Sequence, residues 1–280
     1  MADLTISEDE FQKFREFFYR KTGIRFESSK RYFVDKRLIE RIEAIRCDTF
    51  RSYFTLLRFQ ASGEELQNLT NLMTVNETYF FREAYQFQCL VDSILPEIVA
   101  AKKDRSPIRI WVLPSSSGEE AYSIAIYLLE SWGGINEWDV EIISSDIDTH
   151  VLSLARAGRF SARSVQQLPQ RYLQKYFTHS ADQYQISEDL RAAVEFTRVN
   201  LTERADTRGY RNFDVVFCRN LLIYFDDLSR KTAAETFYDA LCPGGFICLG
   251  HSESMSRISA LYKVRKFPDA IVYQKLRESS

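Results

Sequence analysis

The sequence has few of the residues that metal sites and disulfide frameworks require. It contains three histidines in 280 residues. Its five cysteines are scattered and never form a CxxC pair: Cys47, Cys89, Cys218, Cys242 and Cys248. This number and spacing favour neither a zinc site nor a set of disulfides, so we predict no bound metal. Long apolar runs are also missing, since the longest extends only from Ile124 to Leu129. A membrane-spanning helix needs about 20 apolar residues, and we predict no membrane insertion.

The net charge and the N-terminal residues argue against further classes of protein. The N-terminal segment MADLTISEDEF is acidic and polar, and it lacks the basic and then apolar pattern of a secretion signal. The formal net charge of −2 argues against a protein that works on nucleic acid. Hydrophobic residues make up 45% and charged residues 27% of the chain, as in ordinary globular proteins. We therefore expect a cytoplasmic protein that binds no nucleic acid.

Residues 1–75 show helical periodicity and no strand pattern, which predicts a small all-helical domain. The first segment places four phenylalanines at helical spacing: Phe11, Phe14, Phe17 and Phe18. Gly23 follows as a helix C-cap. Three further helical segments begin near Ser28, Thr49 and Gly63.

From about residue 105 the pattern alternates between strand and helix. Strands are predicted at 108–113, 139–146, 194–201, 213–218 and 244–250, with an antiparallel hairpin at 262–276. Such alternation predicts an α/β domain with a mainly parallel, Rossmann-like sheet and helices on both faces. We place this domain at 76–280, with a small inserted subdomain at about 161–193 where the alternation is interrupted.

The first strand-to-helix turn, LPSSSGEEAYS, contains one glycine, Gly118, followed by Glu119 and Glu120. Carboxylates at a helix N-terminus are favourable with the helix dipole, so the pair is explained by capping alone. They would, however, repel the pyrophosphate that dinucleotide-binding proteins hold at this position. A cationic ligand without phosphate suits them, which favours S-adenosylmethionine over NAD or ATP.

Polar residues also follow the later strands, where ligands bind in open α/β sheets. Asp146 ends the second strand and is predicted to accept hydrogen bonds from ribose hydroxyls, while Asp148 caps the next helix. Arg219 and Asn220 follow the buried strand FDVVFC, and Tyr224 lies just beyond them. The sequence suggests no role for Arg219.

Two other segments carry polar groups. In TVNETYFFREAYQF (74–87), Phe80 or Phe81 is expected in an interdomain core. Arg82 is suited to grip a carboxylate of cofactor or substrate, with Asn76 and Thr78 nearby. GHSES (250–254) does not meet the G-x-S-x-G pattern of hydrolases. We therefore expect it to shape the rim of the cleft.

The segments NETYFFRE, SSSGEEAYSIA, SSDID, VNL, FDVVFCRNLLIYFD and PGGFICLGHSES occur in the order found in CheR-type chemotaxis receptor methyltransferases, and nearly the whole chain resembles that family. The resemblance implies a class I methyltransferase fold and S-adenosylmethionine, with S-adenosylhomocysteine as product. It also implies methyl transfer to glutamate carboxylates on the cytoplasmic helices of methyl-accepting chemoreceptors. The implied cofactor contacts are Asn76, Thr78, Arg82, Glu119, Asp146, Asn200, Leu201, Asn220 and Leu221.

The resemblance also implies roles for other residues. Arg82 and Tyr224 would position the reacting groups, and no general base is expected. Arg37 and Arg41, on a helix with excess positive charge, would contact acidic receptor helices. The family usually has small residues at Leu113 and Pro114, and Pro114 lacks a backbone donor. The short hairpin connection at 179–183 has no glycine, so we expect no binding of a receptor C-terminal tether peptide.

Two alternatives remain open from the sequence. A methyltransferase of nucleic-acid bases would often carry an Asn/Asp-Pro-Pro-aromatic tetrapeptide after the fourth strand, where this chain has CRNLLIYF. A non-catalytic cofactor-binding signalling module is the second alternative. The combination of Arg82, Asp146, Asn220 and Tyr224 argues against it.

Overall fold

The computed structural model describes residues 4–268 and 270–277. The N-terminal region has four helices: α1 (Glu8–Thr22), α2 (Arg31–Ala44), α3 (Phe50–Phe59) and α4 (Glu64–Met73). A capping box formed by Ser7 and Glu10 begins α1, and Gly23 ends it with a φ of 73°, as predicted. The phenylalanines of α1 pack with α2, α3 and α4 in a core that belongs to this region.

In the described part of the larger domain, ten strands form the sheets: β1 (Ile108–Leu113), β2 (Val140–Asp146), β3 (Arg159–Ser161), β4 (Phe177–Ser180), β5 (Gln183–Ile186), β6 (Val194–Arg198), β7 (Phe213–Cys218), β8 (Leu241–Leu249), β9 (Tyr262–Lys266) and β10 (Ile271–Lys275). Seven of them lie in the order β6-β2-β1-β7-β8-β10-β9. The first five of this order are parallel, and β10 and β9 add an antiparallel edge. The prediction of a mainly parallel sheet is confirmed. The predicted hairpin has Asp269 in its connection, which lies outside the described residues.

Nine helices of this domain are described: α5 (Tyr85–Cys89), α6 (Leu95–Ala101), α7 (Glu119–Ser131), α8 (Thr149–Ala157), α9 (Ala162–Val165), α10 (Gln170–Tyr176), α11 (Glu188–Ala192), α12 (Arg204–Thr207) and α13 (Asp227–Ala240). A π-helical turn joins α5 to α6. Short 3₁₀ turns lie at Ser28–Lys30, Leu222–Tyr224 and Met255–Arg257. Alternate residues of β1 face opposite layers. Ile110 and Val112 pack with α7 on one face, while Trp111 packs on Phe237 of α13 on the other. Among the described helices, none is long and apolar enough to cross a membrane.

The inserted subdomain is a three-stranded antiparallel sheet in the order β3-β5-β4, accompanied by short helices. Its first strand begins at Arg159, two residues before the predicted boundary. Phe80 packs edge-on against Phe160 and Phe177, with ring centroids 4.7 and 5.3 Å apart. The aromatic segment before Arg82 therefore packs against the inserted subdomain, and the prediction that it forms the core with the helical domain was wrong.

The turn after α1 joins the helical domain to the carboxyl end of the sheet. Ile24 forms an isolated antiparallel bridge with Phe225, and Tyr19 donates to Asp226 over 3.0 Å. Asn200 donates to the backbone carbonyl of Lys21 over 2.7 Å. These contacts lie beyond the ends of β6 and β7, so the helical domain covers the edge of the sheet where ligands bind.

Candidate functional site

A cavity of about 920 Å³ lies between the two domains, beyond the carboxyl ends of β1, β2 and β7. In α/β sheets this crevice, beside the strand at which the strand order reverses, is the usual ligand site. Eight of the nine predicted cofactor residues line it: Asn76, Thr78, Arg82, Asp146, Asn200, Leu201, Asn220 and Leu221. Tyr224 and Arg219 line it too, and Glu119 does not.

Asp146 is a buried carboxylate held by backbone donors. Oδ2 accepts from the amide of Ser116 over 2.8 Å, and Oδ1 accepts from the amide of Asp148 over 3.0 Å. Burial raises the pKa of Asp146 to about 6, although these bonds lower it. A carboxylate accepts at about four lone-pair positions, so this one can still accept from hydroxyl donors in the cavity. Asp148 caps α8 through the amides of His150 and Val151, as predicted.

The two adjacent acids at the start of α7 point to different places. Glu119 is buried away from the cavity, where it accepts from Ser117 and from Ser164 of the inserted subdomain over 2.8 and 2.9 Å. Burial raises its pKa. The predicted cofactor contact of Glu119 stays a prediction, and Glu120 is the acid of the pair that lines the cavity. Successive residues of an α-helix are rotated by about 100° about its axis, so the two side chains point in different directions. The sequence does not show which of the two faces the sheet edge.

Arg219 acquires a role that the sequence does not suggest. Its guanidinium is buried between two carboxylates, 3.2 Å from Glu83 and 3.1 Å from Glu120. It also donates to the backbone carbonyl of Arg82 over 2.7 Å. Although burial raises the pKa of Glu83, Arg219 and His251 hold it below its ordinary value, whereas burial raises the pKa of Glu120. Arg219 thus offsets part of the negative charge of Glu83 and Glu120 and holds the backbone at Arg82.

The segment at 74–82 is held by α8. Asn76 donates to Asp148 over 2.9 Å and to Thr74 over 3.1 Å. Thr74 donates to the same carboxylate over 2.6 Å. Arg82 donates to the carbonyl of Glu77 over 3.1 Å. Because a guanidinium has five N–H donors, Arg82 retains donors for a carboxylate in the cavity.

The residues after β6 and β7 present mainly backbone and apolar surface. The amide of Asn200 donates to Lys21, and its oxygen accepts from Thr202, so both ends are used within the protein. Asn220 adopts a left-handed backbone with a φ of 58°, which asparagine tolerates better than most residues. Tyr224 is 38% exposed at the cavity, and burial raises its pKa.

Glu253 is a site residue that the sequence interpretation missed. It lies in the GHSES segment and accepts from the backbone amides of Asn220, Leu222 and Gly250 over 2.8, 2.8 and 2.9 Å. We expected the GHSES segment to shape the rim of the cleft, but this expectation did not single out Glu253. The available signal was a carboxylate four residues beyond a buried strand, beside a glycine that allows close approach.

Arg37 and Arg41 are engaged inside the helical domain. Arg41 forms two contacts with the buried Glu65, at 3.0 and 2.5 Å. Arg37 donates to the carbonyls of Leu72 and Phe33 and lies 3.4 Å from the centroid of the Phe33 ring. Charge counting along α2 treats every arginine as exposed, and the fold uses these two for packing. Their contact with a receptor is not tested by these bonds and stays a prediction.

The cavity suits S-adenosylmethionine. Asp146 and Glu120 are among the six acids that line it. The amides of Ser115 and Ser116 in the adjacent turn already bond to Ser145 and Asp146. The backbone donors that would cradle a phosphate are therefore engaged. The peptide between Leu113 and Pro114 is cis, and both residues line the cavity. Asp146 would hold the ribose, and the acidic wall would face the cationic part of the cofactor.

Comparison with known proteins agrees with this chemistry. Residues 76–271 match the CheR methyltransferase S-adenosylmethionine-binding domain, and residues 9–74 match the CheR methyltransferase all-alpha domain. The chain is 55% identical to chemotaxis protein methyltransferase 2 of Vibrio cholerae, over 98% of this chain and 96% of that protein. It is 36% identical to chemotaxis protein methyltransferase 2 of Pseudomonas aeruginosa, over 92% and 90%.

The chemotaxis protein methyltransferase of Salmonella typhimurium is 33% identical, with 94% of this chain and 89% of that protein covered. The similarity thus spans both domains. The chain belongs to the CheR methyltransferase family, whose cofactor is S-adenosylmethionine.

Proposed function

We propose that this chain transfers the methyl group of S-adenosylmethionine to glutamate side chains of methyl-accepting chemoreceptors and forms glutamyl methyl esters. The observation that carries the proposal is that acidic side chains and hydrogen-bond donors line the same cavity. Asp146 and Glu120 face a cofactor that is cationic at sulfur, while Arg82 and Tyr224 offer donors to an anionic acceptor. The relatives named for chemotaxis methyl transfer support the receptor as substrate.

The charges at the mouth of the cavity also favour an acidic substrate. Four carboxylates that line the cavity are each close to a cation. Glu27 and Asp226 share Arg25, Glu77 pairs with Arg163, and Asp227 pairs with Arg230. Lys30 and Arg82 line the same cavity, and among the described residues neither forms an ion pair with a carboxylate. Lys30 and Arg82 would therefore be available to a glutamate carboxylate.

The chemistry requires positioning more than proton transfer. When bound, S-adenosylmethionine supplies a methyl group on a positively charged sulfur. A glutamate has a reference pKa of about 4.3 and is already ionised at neutral pH, so no general base is needed. Arg82 would orient the carboxylate through its remaining N–H donors. Tyr224, kept protonated by its raised pKa, would donate a further hydrogen bond and help to exclude water.

The partner in this proposal is a cytoplasmic receptor helix, and the reaction takes place in the cytoplasm. The hairpin between β4 and β5 turns through Ala181 and Asp182, and Ala181 has a φ of 51°. These side chains stand where a peptide would approach the connection. We therefore keep the proposal that this chain methylates receptors without binding a C-terminal tether peptide.

The experiment uses methyl-labelled S-adenosylmethionine and membranes that contain a chemoreceptor. Label that is released from protein by base as methanol, and that is absent from a receptor whose target glutamates are replaced by alanine, would support the ester. Base-stable label, or label in nucleic acid, would contradict it. If no label is transferred to protein although the cofactor binds normally, the non-catalytic alternative is favoured instead.

Variants of the tyrosine test the site assignment. Tyr224→Phe should lower kcat roughly tenfold, since a hydrogen bond to a charged group contributes about 1.5–3 kcal/mol, and should leave the affinity for S-adenosylhomocysteine unchanged. The matched control is Tyr238→Phe, because Tyr238 packs on Tyr262 and is not part of the cavity wall. Equal kcat in both variants would remove Tyr224 from the proposed site.

A further inference from the structure

The loop that follows β7 is fastened to the loop that follows β8 through one side chain. Glu253 accepts from Asn220 and Gly250 at Oε2 and from Leu222 at Oε1, over 2.8, 2.9 and 2.8 Å. The carboxylate thus satisfies backbone donors on both loops. Asn220 and Leu221 line the cavity, while Glu253 does not, so the acid contacts the cavity wall from behind.

Glycine at position 250 makes this contact possible. A Cβ at Gly250 would lie 2.9 Å from Oε2 of Glu253 and 3.0 Å from the side-chain nitrogen of Asn220. The first distance is shorter than real Cβ contacts and the second is tighter than most, so a side chain at position 250 would displace Glu253 or Asn220. The left-handed backbone of Asn220 lies at the same point, and the charge-assisted bond to its amide holds it there.

We propose that Glu253 is a positioning residue for the cofactor cavity, which fixes the Asn220–Tyr224 segment through backbone hydrogen bonds without touching the cofactor. Three donors converge on two carboxylate oxygens, and a carboxylate accepts at both of them. A glutamine accepts at one oxygen and presents an NH₂ group at the other position. Glu253→Gln therefore leaves at least one backbone amide of the loops facing another donor.

The first measurement is made on the cofactor-free protein. Hydrogen exchange of the Asn220, Leu222 and Gly250 amides, followed by NMR, should be at least tenfold faster in Glu253→Gln than in the parent. Exchange at Trp111, in the central strand, should not change. Ser252→Ala is the matched control, because Ser252 is an exposed neighbour in the same turn. This pattern separates local positioning from loss of the fold.

The second measurement is calorimetric titration with S-adenosylhomocysteine. We expect Glu253→Gln to bind it at least tenfold more weakly, with Ser252→Ala equal to the parent. Parent-like affinity in Glu253→Gln would overturn the proposal, and so would unchanged exchange of the loop amides. If Glu253→Gln does not fold, Gly250→Ala tests the same contact from the opposite loop, and parent-like affinity there overturns the proposal as well.

The proposal rests on the proposed function only in placing Tyr224 at the transfer site. Exchange and cofactor binding are measured without a receptor. Failure of receptor methylation would therefore leave the role of Glu253 intact, and failure of the Glu253 test would leave glutamyl ester formation intact.

Discussion

Replacing Arg219 by methionine removes a buried cation from between two carboxylates. Glu83 and Glu120 lie 3.2 and 3.1 Å from the guanidinium, which is almost fully buried. Breaking a buried ion pair by removing one partner costs about 3–5 kcal/mol, because the remaining charge is left without compensation. Methionine keeps much of the side-chain volume against Phe87, so the loss is mainly electrostatic.

The size of the effect can be expressed as a melting temperature. For 280 residues the entropy of unfolding is about 0.6 kcal/mol/K near 60 °C, and 3–5 kcal/mol then lowers Tm by about 5–8 °C. Differential scanning calorimetry measures it directly. Arg219→Met combined with Glu120→Gln should recover part of the loss, since one uncompensated charge is removed as well.

The loss should also depend on pH. Without Arg219, burial raises the folded-state pKa of both acids above their unfolded value of about 4.3. The penalty is then fully present above the raised pKa values and disappears below the unfolded pKa, where both states are protonated. The difference in Tm between parent and variant should therefore shrink as pH falls toward about 4. A difference below about 2 °C at pH 8, or one independent of pH, would refute this account of Arg219.

Three further predictions concern other parts of the molecule. Asp146→Asn should weaken S-adenosylmethionine binding about tenfold or more. The affinity of the parent protein for S-adenosylmethionine should fall as pH drops below about 6, where the carboxylate gains a proton. Calorimetry that shows no such pH dependence would contradict the role of Asp146. Arg41→Met should lower Tm because it leaves the buried Glu65 without its cation. Replacing the exposed Lys30 by glutamate should slow receptor methylation most at low salt. Slower methylation in Arg41→Met with an unchanged Tm would instead support the predicted receptor contact of Arg41. Titrating a receptor C-terminal peptide should give no heat, and micromolar binding would contradict the interpretation of the hairpin at 179–183.

The fold was largely predictable because its strands are short apolar runs that end in polar residues. The four helices of the first domain and the strands of the sheet lie within a few residues of their predicted bounds. The pair α5 and α6 was not predicted. Its apolar residues at 85–101 follow an aromatic segment without a capping residue, and a π-helical turn interrupts their helical periodicity.

Within the site, the sequence showed which residues lie near the cavity better than it showed where their side chains point. Asp146, the last residue of β2, and Arg82, on the irregular segment after α4, both line the cavity. Their contacts with the cofactor stay predictions. Glu119 and Glu120 could not be told apart, because neighbouring residues at a helix start differ only in rotation about its axis. The ion pair of Arg41 was missed for a related reason. Its partner Glu65 is 24 positions away, on α4, and a charge count along one helix does not include it.

The polar residues around the cavity owe their clustering to one physical requirement. Backbone amides at the ends of parallel strands lose their sheet partners, and each buried donor needs an acceptor. Asp146 supplies one for the turn after β1, Glu253 for the loops after β7 and β8, and Asp148 for α8. Asp146 and Asp148 are buried and Glu253 is half-buried. Arg219 offsets part of the negative charge of two further acids at the cavity, Glu83 and Glu120. The residues that build the cavity wall therefore depend on one another, and replacing any of them changes the site through backbone position as well as through direct contact.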